Sequence, residues 1–523
     1  VKFELGLFEN PYVPVPGTPE PADVVSLAQE AAAKSIVLMK NDNQSLPLEK
    51  NIRTLAVIGT DAAEARLGGY SRPGKGKVSM LEGIKAKVGS KTKVVYQPGP
   101  GRVSPEWVAV PPSHLSHTEA GKREPGLKSA YFNNINMQGA PVVERVDASL
   151  DFRWTLYGPD PSVNFDFFSA RWTGQLTAPV SGRYKIGFTG NEGYRLFLDG
   201  RLILDHWKNQ AHATRLVEFD FIQGKTYDLR AEFFESSGIS TIQLIWTVGV
   251  PDDWRSRIQD AVGAARQADA AIVVAGIEEG EGFDRAHLGL PGHQEELISA
   301  VASSGKPVTV VLVGGSAVTM TAWKDKVSAI LNVWYPGDQG GSAVADVLFG
   351  DYNPSGRLPL SFPLFEGQLP FVYNHKPTGR NDDYGDLTGQ PLFPFGFGLS
   401  YTTFQYDGLK FEKQTIAADA SVRVQCKVKN TGTRFGEEVV QLYIRDELSS
   451  VAQPIKQLKG FQRLALKPGE EKEITFTLTP DLLKILNDQM QWVVEPGDFR
   501  IMIGASSRDI RLRGVLRVDG GGL

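Results

Sequence analysis

RIQDAVGAARQADAAIVVAG, residues 257–276, decides the fold. RIQDAVGAARQAD has the spacing of an amphipathic helix. AAIVVAG (270–276) is a short continuous apolar run closed by glycine, which reads as a strand buried on both faces. The alternation continues downstream. HQEELISAVASSG (293–305) is helical, VTVVLVGG (308–315) and SAILNVW (328–334) are strands, and SAVADVLFG (342–350) is helical. It also precedes this stretch: VVSLAQEAAAKSIVLMK (24–40) is an amphipathic helix, TLAVIGT (54–60) a strand, 79–88 helical and KVVYQPG (93–99) a strand. This β-α-β order is the signature of a parallel sheet. The first half alone has too few strands to close a core. The economical reading is one α/β domain in two pieces, 24–105 and 252–375.

What separates the pieces has a different character. Residues 100–126 are polar, and from about 127 to 248 the chain is aromatic-rich with period-2 stretches such as GRYKIGFTG (182–190), YRLFLDGRLILDHW (194–207) and TYDLRAEFFE (226–235). That pattern predicts an all-β sandwich inserted over 120–250. Asp199-Gly200 is a strong hairpin signal inside it. Residues 401–523 alternate again, through SVRVQCKVKN (421–430), GEEVVQLYIRD (436–446) and FRIMIGAS (499–506). They predict a second, immunoglobulin-like or fibronectin type III-like sandwich. The proline-rich residues 1–23 and the stretch 376–400 read as linkers. The fold class is therefore multidomain α/β plus all-β.

Composition excludes several functions. The 523 residues are 41% hydrophobic and 22% charged, which rules out wholesale disorder. Fifty-six basic against sixty acidic side chains leave a net charge of −4, so no nucleic-acid partner is expected. No apolar run approaches the ~20 residues of a membrane span, so no membrane partner is expected. The chain opens at Val1 without a basic leader, which reads as a processed, trimmed or internal terminus. Cys426, the single cysteine, excludes an internal disulfide, and its step with Val422, Val424 and Val428 places it on the buried face of a strand. The compartment stays open.

Most short motifs resolve to loops. GYSRPGKG (69–76) resembles a phosphate loop but has Gly76 where the hydroxyl residue belongs. His114 and His117 lack a third ligand, so no metal or cofactor is expected. No G-x-S-x-G elbow exists. The informative segment is GIEEGEGFDRAHLGLPGHQEEL (276–297), which begins where AAIVVAG ends. Sites in open α/β sheets lie beyond the carboxyl ends of strands. Glu278, Glu279 and Glu281 stand there among glycines, followed by Asp284 and Arg285. Carboxylates so placed suit acid/base chemistry. A plain solvated acidic loop is the competing reading.

Several strings converge on one resemblance. KSIVLMKNDNQSLPL (34–48), AVIGTDA (56–62), GEGFDRAHLGLPGHQEELISAV (280–301), VWYPGDQGGSAVADVLFGDYNPSGRLPLSFP (333–363) and LFPFGFGLSYTTF (392–404) resemble the C-terminal half of family 3 glycoside hydrolases of the β-glucosidase type. TAPVSGRYKIGFTGNEGYRLFLDGRLILDHW (177–207) is similar to the protective-antigen-type carbohydrate-binding module found inside some β-glucosidases. GEEVVQLYIRD, LKGFQRLALKPGE (458–470) and FRIMIGAS resemble the family's fibronectin type III-like domain.

The resemblance implies retaining, exo-acting hydrolysis of a β-glucoside or oligosaccharide by two carboxyl groups about 5–5.5 Å apart. The family's E-G-x-D-R pattern falls on Glu281-Gly282-Phe283-Asp284-Arg285, which implies Glu281 as acid/base, with Glu278 and Glu279 as fallbacks. Phe283, Asp284 and Arg285 are implied near the substrate, Asp284 and Arg285 chiefly fixing the loop. In the insert, Tyr194, Trp207 and Phe168 are candidates for stacking on a sugar, against the reading that they are core. The insert lacks a calcium-binding Asp-Asp pair, so metal-dependent sugar binding is not expected there. The family's nucleophile is an Asp on an N-terminal (β/α)8 barrel. This chain shows no such repeat, and Asp252-Asp253-Trp254 sits in the re-entry linker. The resemblance thus implies a barrel supplied by a partner chain or an N-terminal segment. Assembly with further copies of the chain is left open. Alternatives are β-xylosidase or other exo-glycosidase specificity and a non-catalytic glycan-binding scaffold.

Overall fold

The structure, a computed structural model, describes residues 2–4, 6–9, 21–68, 71, 74, 76–103, 106–154, 157–238, 240–250, 253–280, 284–378 and 382–520. The chain is multidomain, α/β plus all-β, and forms two compact units, 105–252 and the remainder.

The α/β part holds α1 (Pro21–Ser35), β1 (Val37–Asn41), β2 (Thr54–Ile58), α2 (Met80–Val88) and β3 (Lys93–Gln97) before the insert. After it come α3 (Trp254–Gln267), β4 (Ala270–Gly276), α4 (Gln294–Ala302), β5 (Val308–Val313), β6 (Ala329–Trp334) and α5 (Gly340–Leu348). The strand order is β1-β6-β5-β4-β2-β3, with β1 antiparallel to β6 and every other pair parallel. Both pieces contribute neighbouring strands, and β4 pairs directly with β2.

Strand alternation sorts the side chains into two cores. Ala56, Ile58, Ala271 and Val273 face α3 and α4 with Ile258, Leu297 and Ile298. Leu55, Val57, Ile272 and Val274 face α1, α2 and α5 with Ala32, Ile84, Val344 and Leu348. The Ser79 side chain and Glu82 form a reciprocal cap at the start of α2, satisfying amide groups that the helix leaves free.

From β2 the chain runs outward to β3, whereas from β4 it runs the opposite way to β5 and β6. The carboxyl ends of β2 and β4 therefore flank a topological switch point, where such sheets open a crevice.

The insert is a unit of two antiparallel sheets around Trp172, Trp246, Phe168 and Phe188. Residues 115–119, left outside the insert by the sequence pattern, belong to its sheet: this strand pairs with 122–125 and 168–177. Leu198 pairs with Arg201 across Asp199-Gly200, both at positive φ, as the predicted hairpin requires.

The C-terminal sandwich packs a three-stranded sheet (404–411, 422–430, 471–478) on a five-stranded one. Cys426 is buried in its core, and burial pushes the thiol up to about 12. Residues 391–400 pack back rather than hang free. Phe393 is buried in the α/β core, and the Leu399 amide donates to the Leu38 carbonyl at 2.8 Å. Its aromatic residues, read from composition as part of a linker, supply core surface instead.

Candidate active site

Three strand ends build the site. At the end of β2, Gly59 adopts a positive φ of 114° and lies against the Val274 carbonyl, where a β-carbon would collide. The turn that follows buries Asp61, which is 2% exposed. Arg66 donates to Asp61 at 3.2 Å, and Arg102 binds the same oxygen. Burial pushes the Asp61 carboxyl up, opposed by Arg102 and Arg66. Arg66 also donates to the Ile277 carbonyl at 2.6 Å. Arg102 reaches Glu64 at 3.0 Å and stands 3.9 Å from Glu278. This cluster ties the exit of β2 to the first residues beyond β4.

The second strand end is that of β4. Gln294, buried at the start of α4, accepts from the Gly276 amide at 2.9 Å and donates to the Gly276 and Pro291 carbonyls at 2.8 Å each. One amide side chain thus closes the base of the 277–293 segment. Thr319 donates its amide to the Leu288 carbonyl at 3.0 Å, and Glu366 accepts from the Leu288 amide at 2.5 Å.

The third strand end is that of β5. Glu279 accepts from the Gly315 amide, from the Ser316 hydroxyl and, at 3.2 Å, from the Tyr335 hydroxyl. Burial, with Glu279 beside it, pushes the Tyr335 phenol up. Arg285 donates to the Ser316 hydroxyl at 2.8 Å and to the Ala317 carbonyl at 3.1 Å.

The sequence-predicted residues fall into three groups. Glu281 and Phe283 lie outside the described residues. Glu278, Glu279, Asp284 and Arg285 are gathered at the carboxyl edge of the sheet. Glu278 and Asp284 are exposed, whereas Glu279 is engaged by three donors and has the geometry of an anchor. Arg285 turns to the 316–317 turn; among the described residues no ion pair joins it to Asp284. Tyr194 forms the third group and is a correction. It is fully buried between Phe188 and His206, and its hydroxyl donates to the Ala213 carbonyl at 3.1 Å. It has no face open to a sugar, because its place in the 193–198 strand points it into the sandwich core. Phe168 is likewise fully buried; Trp207 is half-buried, with Arg195 over its ring.

Asp61, Arg66, Arg102, Gln294, Ser316 and Tyr335 were not singled out from sequence. Three of these six stand shortly after an apolar strand run, in IGTDA, VGGSA and VWYPGD, so the carboxyl-end rule could have flagged Asp61, Ser316 and Tyr335.

The chain is similar to known proteins along its whole length. A profile described as "Glycosyl hydrolase family 3 C-terminal domain" matches residues 36–401, and a "Fibronectin type III-like domain" matches 438–507. A "Xylan 1,4-beta-xylosidase" of Xylanibacter ruminicola is 32% identical over 540 residues, covering 98% of this chain and 60% of that protein. A "Periplasmic beta-glucosidase" of Salmonella typhimurium is 40% identical over 301 residues, covering 54% of this chain and 39% of its own length. The crystal structure of a β-glucosidase from Kluyveromyces marxianus in complex with glucose superimposes with a TM-score of 0.68 at 28% identity, covering 99% of this chain and 65% of that one. The chain thus spans less than two thirds of the length of these relatives.

Proposed function

The chain belongs to glycosyl hydrolase family 3, and on that premise we propose that it is the acid/base-bearing portion of a retaining, exo-acting β-glucosidase. In this reading an N-terminal barrel supplies the Asp nucleophile and the pocket for the terminal sugar. Glu281 protonates the departing glycosidic oxygen as the nucleophile attacks the anomeric carbon. It then takes a proton from the water that releases the glucose. The insert is read as a protective-antigen-type sugar-binding module.

One observation carries the proposal. Glu279 and Arg285, on either side of Glu281 in the sequence, bind the same turn at the carboxyl end of β5. A solvated loop has no need of such an anchor. β-Xylosidase specificity is the second reading, favoured by the xylosidase relative that aligns with 98% of the chain.

The test is turnover of nitrophenyl β-glucoside and β-xyloside by the full-length protein and by Glu281→Ala. Loss of a general acid lowers turnover by about 10²–10⁴-fold, and azide, which needs no activated water, should restore it. An active Glu281→Ala variant would sink the assignment. Preference for the xyloside would favour the second reading. Glycan binding without turnover would favour a scaffold.

A further inference from the structure

Glu279 and Arg285, which flank Glu281 in the sequence, bind one turn. On the entry side, Glu279 accepts from the Gly315 amide and the Ser316 hydroxyl. On the exit side, Arg285 donates to the Ser316 hydroxyl oxygen at 2.8 Å and to the Ala317 carbonyl at 3.1 Å. Ser316 therefore gives its proton to one stem and its lone pair to the other. Tyr335, just beyond β6, completes the seat by donating to Glu279 at 3.2 Å.

The turn is shaped for this seat. A β-carbon on Gly315 would stand 2.9 Å from the Glu279 carboxylate and 3.2 Å from the Tyr335 ring, and one on Gly314 would collide with Ile277. Two glycines in succession let the stem lie flat on the turn. The Ile277 amide donates to the Val313 carbonyl at 3.0 Å, which fixes the height at which it lies.

A hydroxyl that donates to a carboxylate and accepts from a guanidinium is oriented by both charges. The Gly315 amide and the Tyr335 hydroxyl hold Glu279 alone, and the Ala317 carbonyl holds Arg285 alone. The Ser316 side chain is the group that joins Glu279 to Arg285.

We propose that Ser316 is a positioning residue for the general acid, acting through Glu279 and Arg285 on the stretch that carries Glu281. This rests on the reading of Glu281 as the acid. Its consequence is selective. Misplacing a proton donor slows departure of basic leaving groups and spares those that leave without a proton.

The experiment compares the full-length protein with Ser316→Ala, Ser316→Thr and Gly315→Ala on an alkyl β-glucoside and on 2,4-dinitrophenyl β-glucoside. Hydrogen exchange of the 277–285 amides is followed in the same samples. Ser316→Ala should lose on the order of 10- to 100-fold in kcat/KM on the alkyl glucoside and stay within about twofold on the dinitrophenyl one. Exchange at 277–285 should quicken. Ser316→Thr, which keeps the hydroxyl, should recover most of the rate. Gly315→Ala, which pushes a methyl group into the Glu279 seat, should behave like Ser316→Ala. An equal loss on both glucosides, or unchanged exchange in Ser316→Ala, overturns the proposal. If Glu281→Ala shows no contrast between the two glucosides, the assignment of the acid fails instead. The exchange at 277–285 then still decides whether Ser316 holds the segment.

Discussion

Trp254 and His293 stack face to face, with ring centroids 3.8 Å apart and planes 9° from parallel. Trp254 opens α3, where the chain re-enters the α/β part after the insert. His293 is the residue that precedes α4, at the far end of the segment that begins with Ile277. Gly292 beside it packs on the Gly101 and Arg102 carbonyls, just before the insert departs. Both chain crossings into the insert therefore touch the same short stretch before α4. Trp254→Ala removes the stack and part of the packing of a half-buried ring. It should lower stability by about 1–2 kcal/mol, read as a lower denaturant midpoint with an unchanged slope. Trp254→Phe should keep most of it. An unchanged midpoint in Trp254→Ala would show that the stack contributes nothing.

Glu235 makes the insert sensitive to pH. It is fully buried, with only the Ser240 hydroxyl and the Ser237 amide near enough to ease its charge. Burial, reinforced by the nearby Glu192 and Asp166 carboxylates, pushes it from 4.5 to about 7. Between those values the folded insert holds a proton that the unfolded chain has released. Stability must therefore fall as pH rises from about 4.5 to about 7 and level off above, by up to about 3 kcal/mol. Unfolding followed by tryptophan fluorescence at pH 5 and pH 8 measures the fall. Glu235→Gln should flatten it and raise stability at pH 8. A variant that keeps the wild-type slope would move the effect to another group.

Much of this architecture was legible in the sequence, and the parts that were not share a physical cause. Continuous apolar runs such as AAIVVAG announce strands buried on both faces, and Asp199-Gly200 announces its hairpin, because both signals are local. Cys426 was placed by its period of two. The site was legible as a segment, 276–297, but not as a network. Ser316 and Tyr335 act on Glu279 from 37 and 56 residues away, and Arg102 reaches Asp61 across 41. No periodicity records such pairings. Tyr194 failed for the opposite reason: period-2 alternation does not say which face of a strand is core when both faces carry large residues.

The C-terminal sandwich is joined to the α/β part by a buried ion pair. Arg357 donates to Glu438 at 3.0 Å, with side chains 8% and 4% exposed. Beside it, Tyr352, Ser355 and Arg463 all donate to Glu437. Arg357→Leu leaves Glu438 charged and buried, at a cost of about 3–5 kcal/mol. Removing both charges in Arg357→Leu/Glu438→Leu should cost markedly less than the sum of the two single changes. A double-mutant cycle on denaturant unfolding measures the difference. Additive effects would mean that the two groups do not interact.

Asp61 is the test of whether the crevice is held together by charge. Its carboxylate is the common partner of Arg66 and Arg102, and through them it fixes the Ile277 carbonyl on one side and approaches Glu278 on the other. Asp61→Asn keeps the shape but leaves two guanidiniums converging on a neutral amide. Breaking a buried pair in this way costs about 2–4 kcal/mol. The guanidiniums repel each other, so Arg66 should release Ile277, and the segment that follows should loosen. The expected result is a lower unfolding midpoint together with faster hydrogen exchange at 277–280. Asp61→Ala should be worse, because it adds a cavity to the lost charge. The second change Arg102→Gln should recover part of the stability of Asp61→Asn by relieving the repulsion. If Asp61→Asn/Arg102→Gln is no more stable than Asp61→Asn, packing rather than charge holds the β2 and β4 ends together.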